Sequence, residues 1–124
     1  MSEAISFFSG MLAEELADLH TCMPCRVERF DENTFRADVQ PLPMRKYKGK
    51  QAVALSMLSE VPILRRKVKE GDAIRLDKPY LEPGDIVLVA FCERSLDNAS
   101  TGIPYDPGSR KFSLDDGIIL GVLT

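Results

Sequence analysis

Between Cys25 and Val39 the chain carries a hydrophobic period of two, and that period confines it to a β fold. Cys25, Val27 and Arg29 alternate with Arg26, Glu28 and Phe30. After the segment DENT, Phe35, Ala37 and Val39 alternate with Arg36, Asp38 and Gln40. Two such runs joined by an Asp- and Asn-bearing turn specify a β-hairpin with one face of each strand toward a core. The segment QPLPM then ends the second strand, because proline brings no N–H to a ladder.

Turn and strand signals continue downstream. Residues 44–50, MRKYKGK, read as a basic, glycine-containing loop. A strand is expected around residues 58–64, with Pro62 at an edge or a bulge. The basic run RRKVK leads into the turn EGD, and AIRLDKP at 73–79 is a short strand candidate. LEPGD at 81–85 is a strong turn signal. IVLVAFC at 86–92 follows as a central strand buried on both faces, residues 98–110 as a surface loop, and 117–123 as a last strand. Five or six short strands separated by turns point to a small all-β barrel or sandwich.

The N-terminus has a different period. Ile5, Phe8, Leu12, Leu16 and Leu19 recur at steps of three or four, which puts them on one stripe of a helix over residues 3–19. The expected organisation is therefore a helix over 1–19 and a barrel domain over 20–124. The stripe has two open readings: it covers an end of the barrel, or it docks on a second copy or another protein. A chain of 124 residues is about one domain. Its net charge of −3 gives no global reason to bind nucleic acid. Glu3, Glu14, Glu15 and Asp18 rule against a secretory signal, and the longest apolar run is too short to span a bilayer.

The chemistry-bearing residues are few. Cys22 and Cys25 form a C-x-x-C two residues after His20, the single histidine. A redox dithiol sits at the start of a helix, whose amides stabilise the thiolate; here the helix precedes the pair, so that device is missing. A zinc site would use His20, Cys22 and Cys25 with Cys92 as a remote fourth ligand, but lacks the second tight pair that structural sites carry. The remaining reading makes the cysteines small apolar strand and turn residues. No nucleophilic triad or phosphate loop is present, so no catalytic, cofactor-binding or metal residue is expected and the chain reads as a non-enzyme. Eight of sixteen Lys and Arg residues fall within positions 45–69. They keep open an alternative, an OB-fold module for single-stranded nucleic acid, although such modules also use aromatic platforms and Tyr47 is the one aromatic there.

Taken in order, HTCMPCRVERFD, FRADVQPLP, SEVPI, LEPGDIVLVAFCERSLDN and RKFSLDDGIILGVL resemble the N-terminal OB-fold domain of phage baseplate central-spike proteins. The resemblance runs over residues 20–123 through Met23–Pro24, Val27, Val61–Pro62–Ile63, Pro83–Gly84–Asp85, Phe91, Arg94–Ser95–Leu96–Asp97, Asp115–Asp116 and Gly121. Cys25 stands where the family carries glycine, which makes the C-x-x-C an accident of spacing. The resemblance implies an OB-like barrel of five to six strands behind one amphipathic helix. Pro24, Pro62, Pro83, Gly84, Asp85, Arg94, Asp97 and Gly121 would keep that fold. It also implies a homotrimer at the tail-tube tip, partnered by a tail-tube or hub protein and by a spike or needle protein. No small-molecule substrate is implied, and membrane contact is not expected of this chain alone. The sequence carries no repeat that would build a needle, so it reads either as a domain of a longer chain or as a short hub. The place implied is the virion tail, or the bacterial cytoplasm during assembly. Ile5, Phe8, Leu12 and Leu16 on the stripe, with Lys46, Tyr47 and Lys48 in the basic loop, are the candidate contacts with neighbouring chains.

Overall fold

The computed structural model describes residues 3–17, 21–46, 49–93, 95–106, 108 and 113–124. One helix, α1 (Glu3–Ala17), precedes the described strands. These are β1 (Cys22–Asp31), β2 (Arg36–Pro41), β3 (Met44–Arg45), β4 (Val53–Ala54), β5 (Leu58–Pro62), β6 (Lys67–Glu70), β7 (Ala73–Leu76), β8 (Ile86–Phe91) and β9 (Gly117–Val122). Five of them form one sheet in the order β5-β2-β1-β8-β9, each neighbour antiparallel to the next. The sheet curls until its ends meet. Ile63, just past β5, bridges Ile119 of β9 in parallel, and the Leu64 N–H donates to the Ile119 carbonyl at 2.9 Å. A five-stranded antiparallel sheet drawn together by this parallel contact is a small OB-like barrel, the all-β class expected from the sequence.

Alternation fills the barrel. Met23, Cys25 and Val27 from β1, Ala37 and Val39 from β2, and Val61 from β5 point inward. Val87, Val89 and Phe91 from β8 and Ile119 from β9 meet them, and Ile63, just past β5, and Leu81 from the turn complete the cluster. These side chains form one packed apolar core inside the sheet. On β8 the outward residues Ile86, Leu88 and Ala90 are only half-buried. The two-sided burial expected for this strand is therefore fuller on one face than on the other: the inner residues are buried and the outer ones partly so, because the sheet curls into a barrel around one core.

Three register shifts bend the sheet. In β1 the ladder passes from Val27↔Val39 to Arg29↔Asp38, leaving Glu28 as the extra residue. A bulge of one residue turns every later side chain to the other face. Arg29, expected on the core face, therefore points out toward Asp38 at 3.6 Å. Phe30 packs on the core instead and meets Tyr80 edge-on at 5.7 Å. A second shift opposes Ser59 and Glu60 to Asp38, and a third leaves Leu120 extra opposite Leu88 and Val89.

Two small hairpins lie outside the barrel. β3 pairs with β4, so the start of the basic segment 44–50 is strand rather than loop. β6 pairs with β7 across Gly71, which folds the second basic run into a largely exposed hairpin.

Candidate functional site

The C-x-x-C is settled by strand geometry. Cys22 is exposed and Cys25 is fully buried, as residues three apart on one strand must be when one face is core. Three residues of strand also separate their Cα atoms by about 10 Å, beyond the ~7 Å reach of a disulfide. The two thiols can share neither a bond nor a metal ion. Burial, and then the neighbouring Cys22, push the Cys25 thiol up to about 11. Burial, and then Asp116, also raise Cys92. Neither offers a thiolate at neutral pH. His20 lies outside the described residues, among which no group of three or more His, Cys, Asp or Glu side chains is placed to hold a metal ion.

The Pro83–Gly84–Asp85 turn is clipped to β1 by both backbone groups of Val27. The Gly84 N–H donates to the Val27 carbonyl at 2.8 Å, and the Val27 N–H donates to the Asp85 carbonyl at 2.8 Å. The Asp85 carboxylate accepts the Glu82 N–H at 2.9 Å. Pro24 lies on β1 opposite Leu88, Pro62 closes β5 opposite Arg36, and Gly121 also stands opposite Leu88.

A second knot ties the loop after β8 to the turn before β9. Asp116 is 1% exposed; its carboxylate accepts the Leu96 N–H at 3.1 Å. Ser95 is buried there, its hydroxyl accepting the Asp97 N–H at 3.3 Å and its carbonyl accepting the Tyr105 hydroxyl. Arg94 lies outside the described residues. The resemblance runs through Asp115–Asp116 but assigns neither a role. The signal was present: an acid before an apolar strand whose inner face must be covered. A groove of about 650 Å³ runs between this knot and the bulge of β5, with Arg36, Glu60, Asp97, Asp115 and Asp116 along it.

The remaining surface is apolar in unusual places. Every described side chain of α1 through Leu12 is exposed, including Ile5, Phe7, Phe8 and Met11, with Phe8 at 66% and Leu12 at 61%. The side chain of Leu16 lies outside the described residues. Lys46 is exposed, and Tyr47 and Lys48 lie outside the described residues. A further groove of about 720 Å³ separates the β6–β7 hairpin from β9. Leu64, Leu76 and Leu120 line it beside Arg66, Arg75 and Lys78. Sequence periodicity could not single out these leucines, because the bulge at Leu120 and the hairpin geometry put them together.

The arrangement offers exposed apolar and charged surfaces around a filled barrel, which suits assembly. No described helix is long and apolar enough to cross a membrane. The family model for the phage protein Gp138 N-terminal domain matches residues 23–121, from the second residue of β1 to the last but one of β9. A comparison with curated proteins finds no match.

Proposed function

Because the chain belongs to the phage protein Gp138 N-terminal domain family, we propose that it is a trimeric OB-fold hub or adaptor of a phage tail or related contractile particle. It sits at the tail-tube tip and links the tube to the piercing spike. The observation that carries the reading is the family match over residues 23–121. The exposed apolar side chains on the outside of the packed barrel support it. The role is non-enzymatic. Its partners are two further copies of itself, a tail-tube or hub protein, and a spike or needle protein, and its place is the virion.

Size exclusion with light scattering on the purified chain tests this. A mass near three times 13.8 kDa is expected. A monomer that persists at high micromolar concentration overturns the trimer. Tight binding of a labelled single-stranded oligonucleotide at low salt would move the barrel to the nucleic-acid class instead.

A further inference from the structure

The groove between the β6–β7 hairpin and β9 and the exposed face of α1 are complementary in two independent respects. Both are apolar: Leu64, Leu76 and Leu120 in the groove are about half exposed, as is Ile5 on α1, while Phe8 and Leu12 are more so. Their charges are opposite. Residues 64–79 contain six basic and three acidic side chains. Residues 1–19 contain four acidic side chains and no Lys or Arg. Among the groove cations, Arg66 pairs with Asp77 at 3.5 Å and Arg75 with Glu70 at 2.9 Å. These are open surface pairs, which hold their charges weakly, and the hairpin keeps a positive excess.

We propose that this groove receives helix α1 of a second copy of the chain. The leucines take the exposed apolar residues of α1, and Arg66, Arg75 and Lys78 complement the net acidic charge of residues 1–19, the helix-in-groove mode of recognition. Within one chain the described residues that line the groove include none from α1, and Ile5, Phe8 and Leu12 are exposed. Each copy thus offers one helix and one groove, a head-to-tail contact that closes into a ring when the rotation fits. The inference rests on the assembly reading above and names the surfaces through which copies meet.

Two variants of the full chain test it, both with Cys22→Ala: one carries Leu12→Cys and the other Leu76→Cys. Mixed and oxidised, they are expected to give a disulfide-linked pair on non-reducing denaturing gels, which neither gives alone. Arg66→Glu with Arg75→Glu should lower the yield at least about tenfold, and Glu14→Lys with Glu15→Lys on the other chain should restore it. A trimeric mass with no cross-link overturns the groove and leaves the assembly reading standing. A monomeric mass with no cross-link overturns both. Combining Leu12→Cys and Leu76→Cys in one chain and obtaining only a closed monomer would show the helix folding back on its own groove, against the proposal.

Discussion

The Asp116 carboxylate accepts the Leu96 N–H at 3.1 Å, while the Asp116 carbonyl accepts the Cys92 N–H at 3.0 Å. One buried residue thereby ties Cys92 and Leu96, at the start of the segment that follows β8, to the turn that leads into β9. Asp116→Ala leaves the Leu96 amide without its charged acceptor and is expected to cost about 2–3 kcal/mol in urea unfolding. Asp116→Asn keeps an acceptor oxygen and should cost about half of that. Equal losses for the two variants would show that charge, and not the bond to Leu96, holds the corner.

The turn at Pro83–Gly84–Asp85 shows what a sequence can carry by itself. Proline, glycine and aspartate each have one local reason to be in a turn, and the turn forms where those reasons coincide. Gly84 sits at φ +96, where a Cβ is strained, and its N–H is bonded to Val27. Gly84→Ala is therefore expected to destabilise by more than about 1 kcal/mol although open space surrounds the new methyl. A neutral result in thermal unfolding would mean that the turn reshapes without losing its hold on β1.

Bulges were not legible in the same way. Whether Arg29 or Phe30 faces the core depends on one extra residue, Glu28, and nothing in the alternation of β1 marks it. The β5 bulge is equally silent, because its left-handed position holds Glu60, at φ +52, where glycine would have announced it. Long-range closure explains both: the strands must bend for Ile63 to reach Ile119, and bending is a property of the barrel and not of any one segment. The assembly surfaces were legible only where they are local. The α1 stripe could be read from its period, whereas Leu64, Leu76 and Leu120 are far apart in sequence and meet only in the folded chain.

Glu60 supplies a test of that bend. Its N–H donates to the Asp38 carboxylate at 2.8 Å, and its carbonyl accepts from Arg36 at 3.0 Å. These bonds hold a residue in a conformation that costs an L-amino acid about 1–2 kcal/mol. Glu60→Gly removes that strain and adds unfolded-state freedom worth up to about 1 kcal/mol, so stability should stay level or rise by up to ~1 kcal/mol. Glu60→Val should lose at least ~1 kcal/mol, since a β-branched side chain fits the left-handed region worst. Urea midpoints in the opposite order would show that the bulge does not persist in solution.

Gly117 and Gly121 share β9 but differ in surroundings. A Cβ on Gly117 would lie 3.1 Å from both Phe91 Cε1 and Val89 Cγ1, whereas one on Gly121 meets nothing within 4 Å. Phe91 and Val89 are buried core residues with little room to retreat. Gly117→Ala is expected to cost about 1–3 kcal/mol by overpacking, and Gly121→Ala to change stability by less than about 0.5 kcal/mol. Calorimetry of the pair separates close approach from mere strand position: similar losses would point to the strand backbone as the cause.

Burial of Cys25 gives the barrel an alkaline weakness. Its thiol is raised from 9.0 to about 11, by burial first and by Cys22 second. Between those values the unfolded chain releases a proton that the folded chain keeps. The stability that comes from keeping the thiol neutral is thus complete below pH 9 and declines as the pH climbs toward 11. The decline is on the order of 1.4 kcal/mol per pH unit over that window. Cys25→Ala should cost about 1 kcal/mol at pH 7 through lost packing and flatten this part of the profile. Urea midpoints of the two proteins at pH 8 and pH 10.5 check it, because the difference between them cancels lysine and tyrosine titration. Parallel profiles would show that the buried thiol is not what loosens the core at high pH.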